Sequence, residues 1–208
     1  MPSKNVIKEL TNDSFYHVYN RGVEKRLIFL DDQDYVVFLG LLKKYLLGVN
    51  ETKLNRHKFE KLGDNIELLA YCLMPNHFHL LVYQRDKDSL VKLMRRAMTG
   101  YVMYFNNRYK RVGSLFQGRY KASQINADSY LHHISRYIHM NPEEYDKWPY
   151  SSLDNYTGNK KTDWINTKPI MELFDNDKLK YAQFMKDYQD SKQELSVLKW
   201  QLANDIEI

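Results

Sequence analysis

Cysteine is nearly missing from this chain, with Cys72 the lone thiol among 208 residues. No internal disulfide and no cysteine-based zinc finger can be built from it, and within an apolar run it reads as a small buried residue. The opening residues, Met1-Pro2-Ser3-Lys4-Asn5, lack the apolar core of a secretory signal. No stretch approaches the roughly 18 consecutive apolar residues of a membrane span. Together these absences point to a soluble protein of a reducing cytoplasm, with no membrane partner. Acidic residues are missing locally: between Leu90 and Ala127 there is none, against eight basic ones.

What is present is ample for a folded domain. Hydrophobic residues make up 43% of the chain and charged ones 27%, which supports a core and argues against disorder. The formal charge is +5 and the pI about 9.0, a balance that favours a polyanionic partner. Seventeen tyrosines supply ring faces wherever they lie beside cations.

The stretch that organises the chain is Tyr71-Cys72-Leu73-Met74-Pro75-Asn76-His77-Phe78-His79-Leu80-Leu81-Val82. It reads as a strand, a Pro-Asn break and a second strand. The two-residue period puts His77 and His79 on one face and Phe78 on the other. Two imidazoles side by side make half of a metal site. The plain alternative is a surface pair opposite a core phenylalanine.

Residues 15–21 are a first strand, rich in aromatic and β-favouring types and ended by Gly22. A helical period runs from 31 to 47, with the Asp31-Asp32 pair at its cap. Residues 48–63 are polar and read as a loop or a frayed helix end. Strands follow at 66–74 and 77–83, a helix from Ser89 to about Asn107, and a fourth strand at 120–125. Asp128 then opens a helix to about Met140, stopped by Asn141-Pro142. This order predicts an α+β fold, a ferredoxin-like split βαβ antiparallel sheet with an added helix that would carry catalytic residues. Residues 143–169 turn polar and turn-rich, and 178–203 look helical, giving a helical C-terminal extension. The expected division is a catalytic domain over 1–157 and a polar linker with a helical appendage over 158–208.

On the helix after the fourth strand, His133, Tyr137 and Asn141 fall at four-residue spacing on one face. A tyrosine is a weak nucleophile near neutrality, its pKa being about 10. On phosphorus it becomes effective when a metal polarises the phosphate. An amide oxygen such as that of Asn141 can complete a metal site begun by two imidazoles. Alternatively, Tyr137 simply packs between helix and sheet. His133 reads as a supporting or phosphate-positioning residue, and His132 and His139 as surface or supporting ones. The basic residues Lys92, Arg95, Arg96, Arg108, Lys110, Arg111, Arg119 and Lys121 are interleaved with Tyr101, Tyr104, Phe105, Tyr109, Phe116 and Tyr120. Cations neutralise a phosphate backbone and ring faces receive unstacked bases, which suits single-stranded or hairpin nucleic acid. A solvated basic helix face is the simpler reading.

Four segments carry a resemblance to a known family: Tyr16-His17-Val18-Tyr19-Asn20-Arg21-Gly22, Leu73-Met74-Pro75-Asn76-His77-Phe78-His79-Leu80-Leu81, Gly113-Ser114-Leu115-Phe116-Gln117-Gly118-Arg119-Tyr120-Lys121 and Tyr137-Ile138-His139-Met140-Asn141-Pro142. Over about residues 14–155 the chain resembles the single-tyrosine HUH transposases, and within them the REP-associated tyrosine transposases. The resemblance implies a domain that binds single-stranded DNA with a hairpin and cuts beside it. It implies His77 and His79 as paired ligands of Mg²⁺ or Mn²⁺, and Tyr137 as the nucleophile that takes the 5′ phosphate and frees a 3′ hydroxyl. Asn141 stands where the insertion-sequence relatives carry a glutamine, one methylene longer. Imidazole ligands favour Mn²⁺ over Mg²⁺. A monomer and a dimer with shared active sites both fit. Two other functions remain open on the residues: a domesticated DNA- or RNA-hairpin-binding protein that does not cut, and a phosphodiesterase that uses water.

Overall fold

A computed structural model describes residues 10–48, 60–125 and 128–187. β1 (Ser14–Arg21) leads into α1 (Asp32–Leu47), which starts where the Asp31 carboxylate accepts from the Asp34 amide and ends at Gly48, φ 67°. β2 (Ile66–Met74) and β3 (His77–Gln84) form the expected hairpin. α2 (Ser89–Arg108) follows, its start held by the Asp86 carboxylate, which accepts from the Ser89 amide at 3.0 Å and the Asp88 amide at 2.9 Å. β4 (Lys121–Ile125) and α3 (Asp128–His139) complete the predicted order. The predicted fourth strand included Tyr120; pairing with β1 begins only at Lys121, opposite Tyr19.

The sheet order is β2-β3-β1-β4, and every neighbouring pair is antiparallel. β1, α1 and β2 therefore form a βαβ unit split by β3, as the element order predicts. One face of the sheet, with Tyr16, Val18, Phe78, Leu80 and Val82, packs on Phe38 and Leu42 of α1 and Leu93, Ala97 and Tyr101 of α2. The other face, with Cys72 and Leu81, packs on Leu131, Ile134 and Ile138 of α3.

Residues 143–169, read as polar and turn-rich, close the open edge of the sheet. Leu73 N donates to Tyr150 O, Ser152 N donates to Tyr71 O, and the Trp148 indole donates to Leu73 O. Edge strands left bare invite pairing with other chains, and this segment satisfies β2 instead. The same segment holds α4 (Leu153–Thr157) and the start of α5 (Lys168–Met171), short helices where only turns were expected, and α6 (Lys178–Lys186) follows. Tyr156, Ile170 and Tyr181 join the core beneath α3. The helix expected over 178–203 is seen as α6; its remainder, with Tyr188, Leu195 and Leu198, lies outside the described residues, as do residues 49–59 of the loop expected at 48–63.

The hairpin tip that presents the histidines is pinned by the chain leaving β1. Pro75 O accepts from Ile28 N (2.8 Å) and Phe29 N (3.1 Å), and Asn76 O accepts from Gly22 N (2.9 Å). Gly22 is required there by space: a Cβ would fall 2.2 Å from Arg26 O.

Candidate active site

Register decides which side chains meet. Across the sheet Cys72, His79, Tyr19 and Lys121 lie opposite one another in one row, and His77 pairs with Arg21 in the next. Alternation along β1 puts His17, Tyr19 and Arg21 on the face where His77 and His79 project, and α3 lies over that face. A cavity of about 520 Å³ opens there, lined among others by Arg21, His77, His79, Arg119, Lys121 and Tyr137.

The two predicted ligands lie with ring centroids 5.1 Å apart and planes at 88°. His77 Nδ1 is 2.6 Å from Asn76 Oδ1, and its Nε2 is 2.9 Å from Asn141 Oδ1. Burial lowers the His77 pKa, partly offset by the Asn141 hydrogen bond, and the Arg21 charge lowers it further. An unprotonated imidazole is the form that binds a metal. His79 is 6% exposed and stands edge-on to Tyr137, ring centroids 5.5 Å apart. The half-buried tyrosine thus sits on the sheet beside both histidines, and Asn141, one turn further along, reaches His77. The structure brings Tyr137, His77, His79 and Asn141 together.

It does not bring His133 to them. Its Nδ1 is 3.1 Å from an Arg136 guanidinium nitrogen and its ring lies against Phe184 of α6. A helical side chain leans over the turn before its own Cα, so one turn upstream of Tyr137 carries His133 away from the cavity. His139, read as a surface or supporting residue, is fully buried, between the Tyr181 hydroxyl (2.8 Å) and the Ser152 hydroxyl (2.7 Å). Burial pushes its pKa down to about 3. It is a neutral core histidine.

The eight basic residues divide. Arg119 and Lys121 line the cavity with Tyr137, and Arg119 also lines an adjoining groove with Arg95 and Lys87. Lys92 and Arg96 pair with Glu60 at 3.5 and 2.7 Å. Arg108 is held by Asp31 (2.6 Å) and by the buried Asp34 (3.2 Å). Arg111 lies over the Phe105 ring, and Lys110 is exposed at a positive φ of 52°. Among the residues that the sequence reading did not name for the site are Arg21, which lines the cavity, and His17, which lies beside it against Tyr137. Both stand in the first motif, and the two-residue period places them on the histidine face; what was missing was the neighbour of β1.

Among the described residues no group of three or more His, Cys, Asp or Glu is placed to hold a metal. Beside the two histidines stands the Asn141 amide oxygen, next to His77. No helix of the described residues is long and apolar enough to cross a membrane.

The model of the family described as IS200-like transposase matches residues 48–141. A solved structure of a REP-associated tyrosine transposase bound to a REP hairpin shares the fold, with a TM-score of 0.55 and 18% identity over 80% of this chain and 92% of that one. No curated protein matches. The resemblance read from the motifs is borne out by the family model and by the α+β fold.

Proposed function

From the IS200-like transposase match over residues 48–141, we propose that this chain is a metal-dependent single-stranded DNA endonuclease and strand transferase. It acts beside hairpins, of the kind bound by the similar solved transposase, through a 5′-phosphotyrosine intermediate. The observation that carries this reading is Tyr137, its ring against His79 in a cavity shared with His77 and three cations, Arg21, Arg119 and Lys121. A tyrosine placed only for packing needs neither the histidines nor the cations around it.

The donor set fits a divalent ion. His77 Nε2 and Asn141 Oδ1 already converge to 2.9 Å, and His79 supplies a second imidazole beside them. Two imidazoles and one neutral oxygen favour Mn²⁺ over Mg²⁺. Bound there, the ion would polarise the scissile phosphate. The chain's own groups do the rest. Arg21, Arg119 and Lys121 draw the phosphate into the cavity and offset its charge. Tyr137 Oη attacks phosphorus; the Tyr–O–P bond forms and the P–O3′ bond breaks. The phenol gives up its proton and the departing 3′ oxygen gains one. The diester count is unchanged, so attack by that hydroxyl or another reverses the step with no nucleotide energy source.

The test is Tyr137→Phe, incubated with Mn²⁺ and labelled hairpin-bearing single-stranded DNA and run on a denaturing gel. The variant binds hairpin DNA and Mn²⁺ as the parent does and forms no covalent adduct. A persisting adduct would move the nucleophile elsewhere. Parent cleavage without an adduct would favour water, and hairpin binding without cleavage a domesticated binder.

A further inference from the structure

His17 lies on β1, 2% exposed, with its Nε2 2.8 Å from His79 Nδ1. The two rings are stacked, centroids 5.0 Å apart and planes 13° from parallel. Tyr137 stands edge-on over His17 as well, at 5.8 Å and 88°. The other nitrogen of His17, Nδ1, is buried with no hydrogen-bond partner among the described residues.

One hydrogen is shared between His17 Nε2 and His79 Nδ1, and its ownership sets the chemistry of His79. If His17 donates, neutral His79 keeps its proton on Nε2 and has no bare nitrogen outside that bond. If His79 donates from Nδ1, its Nε2 carries a lone pair. His17 engages Nδ1, so a metal can reach His79 only through Nε2. Ligation therefore requires His17 to accept, and the proton of His17 then resides on the unpartnered Nδ1. A side chain present only to fill space would avoid that burial of an unsatisfied polar atom.

We propose that His17 is a positioning residue, the acceptor that holds His79 in the Nδ1–H tautomer with Nε2 presented to the metal. Partners of this kind fix the tautomer and orientation of metal-binding histidines. This inference rests on the metal-dependent reading above. Because His17 also lies beneath Tyr137, the same ring sets the relation of ligand to nucleophile.

The experiment compares Mn²⁺ affinity by calorimetry in the parent, His17→Phe, His17→Gln and His77→Ala, with thermal melts as the check on folding. His17→Phe keeps the ring volume and should bind Mn²⁺ about 10- to 100-fold more weakly. His17→Gln offers an amide oxygen to His79 Nδ1–H and should restore binding most of the way. In the parent loaded with diamagnetic Zn²⁺, imidazole ¹⁵N shifts should show His17 and His79 both protonated at Nδ1. If His77→Ala loses affinity while His17→Phe matches the parent, the metal reading stands and the role of His17 is overturned. If His77→Ala loses nothing, the metal reading fails and takes this inference with it. Should His17→Phe fail to fold, the glutamine variant and the ¹⁵N shifts decide, and a proton on His17 Nε2 in the loaded protein overturns the proposal.

Discussion

At position 141 the side chain offers a neutral amide oxygen, 2.9 Å from His77 Nε2. Its helix, α3, ends at His139, so Asn141 reaches the histidine from the first residues past the last turn. A carboxylate of the same length would add charge and a harder oxygen to the same position. Asn141→Asp should tighten Mn²⁺ by about tenfold and narrow its advantage over Mg²⁺, since carboxylate oxygens suit the smaller, harder ion. Asn141→Leu should loosen Mn²⁺ by about tenfold without changing the melt appreciably. Calorimetry with both ions reads the two variants together. Equal Mn²⁺ affinity in the parent and Asn141→Leu would remove Asn141 from the ligand set.

Among the elements, α2 is the one whose charges change meaning once folded. Arg108, near its last turn, bridges Asp31 at the cap of α1 and Asp34, which is fully buried and also accepts from the Leu30 amide and the Tyr104 and Tyr109 hydroxyls. Arg108→Ala leaves that buried carboxylate short of a donor and should lower the urea midpoint. The salt dependence of hairpin-DNA affinity should hardly move. Arg119→Ala with Lys121→Ala should do the opposite, with the midpoint kept and the log–log salt slope reduced by about two. If Arg108→Ala flattens the slope and the cavity pair does not, DNA runs over α2 and not through the cavity.

For the whole molecule, acid is a selective stress. Burial holds His17 and His139 down to about 3, and His132 down to about 4 with help from the charges of His133 and Arg136. The unfolded chain takes up these protons near pH 6.5, the folded one only much lower. Stability from these groups is thus fully present above pH 6.5 and is lost as pH falls from there towards 3. In that window each contributes a slope of up to about 1.4 kcal/mol per pH unit. The metal-free protein should melt progressively lower between pH 6.5 and 4. A flat profile would contradict the burial of neutral imidazoles.

The residue order alone determines the kind and succession of elements from β1 to α3, and the shared face of His77 and His79, because a two-residue period is a local property of the chain. The four-residue spacing of Tyr137 and Asn141 is local in the same way, with Asn141 falling just past the end of α3, and the ferredoxin-like order follows from the alternation of patterns. What only the tertiary structure decides are meetings between distant segments. His17 and His79 are 62 positions apart, and their hydrogen bond exists because β1 lies next to β3. The stretch from Leu90 to Ala127 contains no acid, yet Asp31, Asp34 and Glu60 reach Arg108, Lys92 and Arg96 from other elements. Residues 148–152, within the stretch 143–169 read as polar and turn-rich, become the cover of β2 because the edge strand's backbone needs partners. Periodicity reports which way a side chain points. Which side chain it meets depends on which distant strands become neighbours, a matter of sheet order that local patterning does not encode.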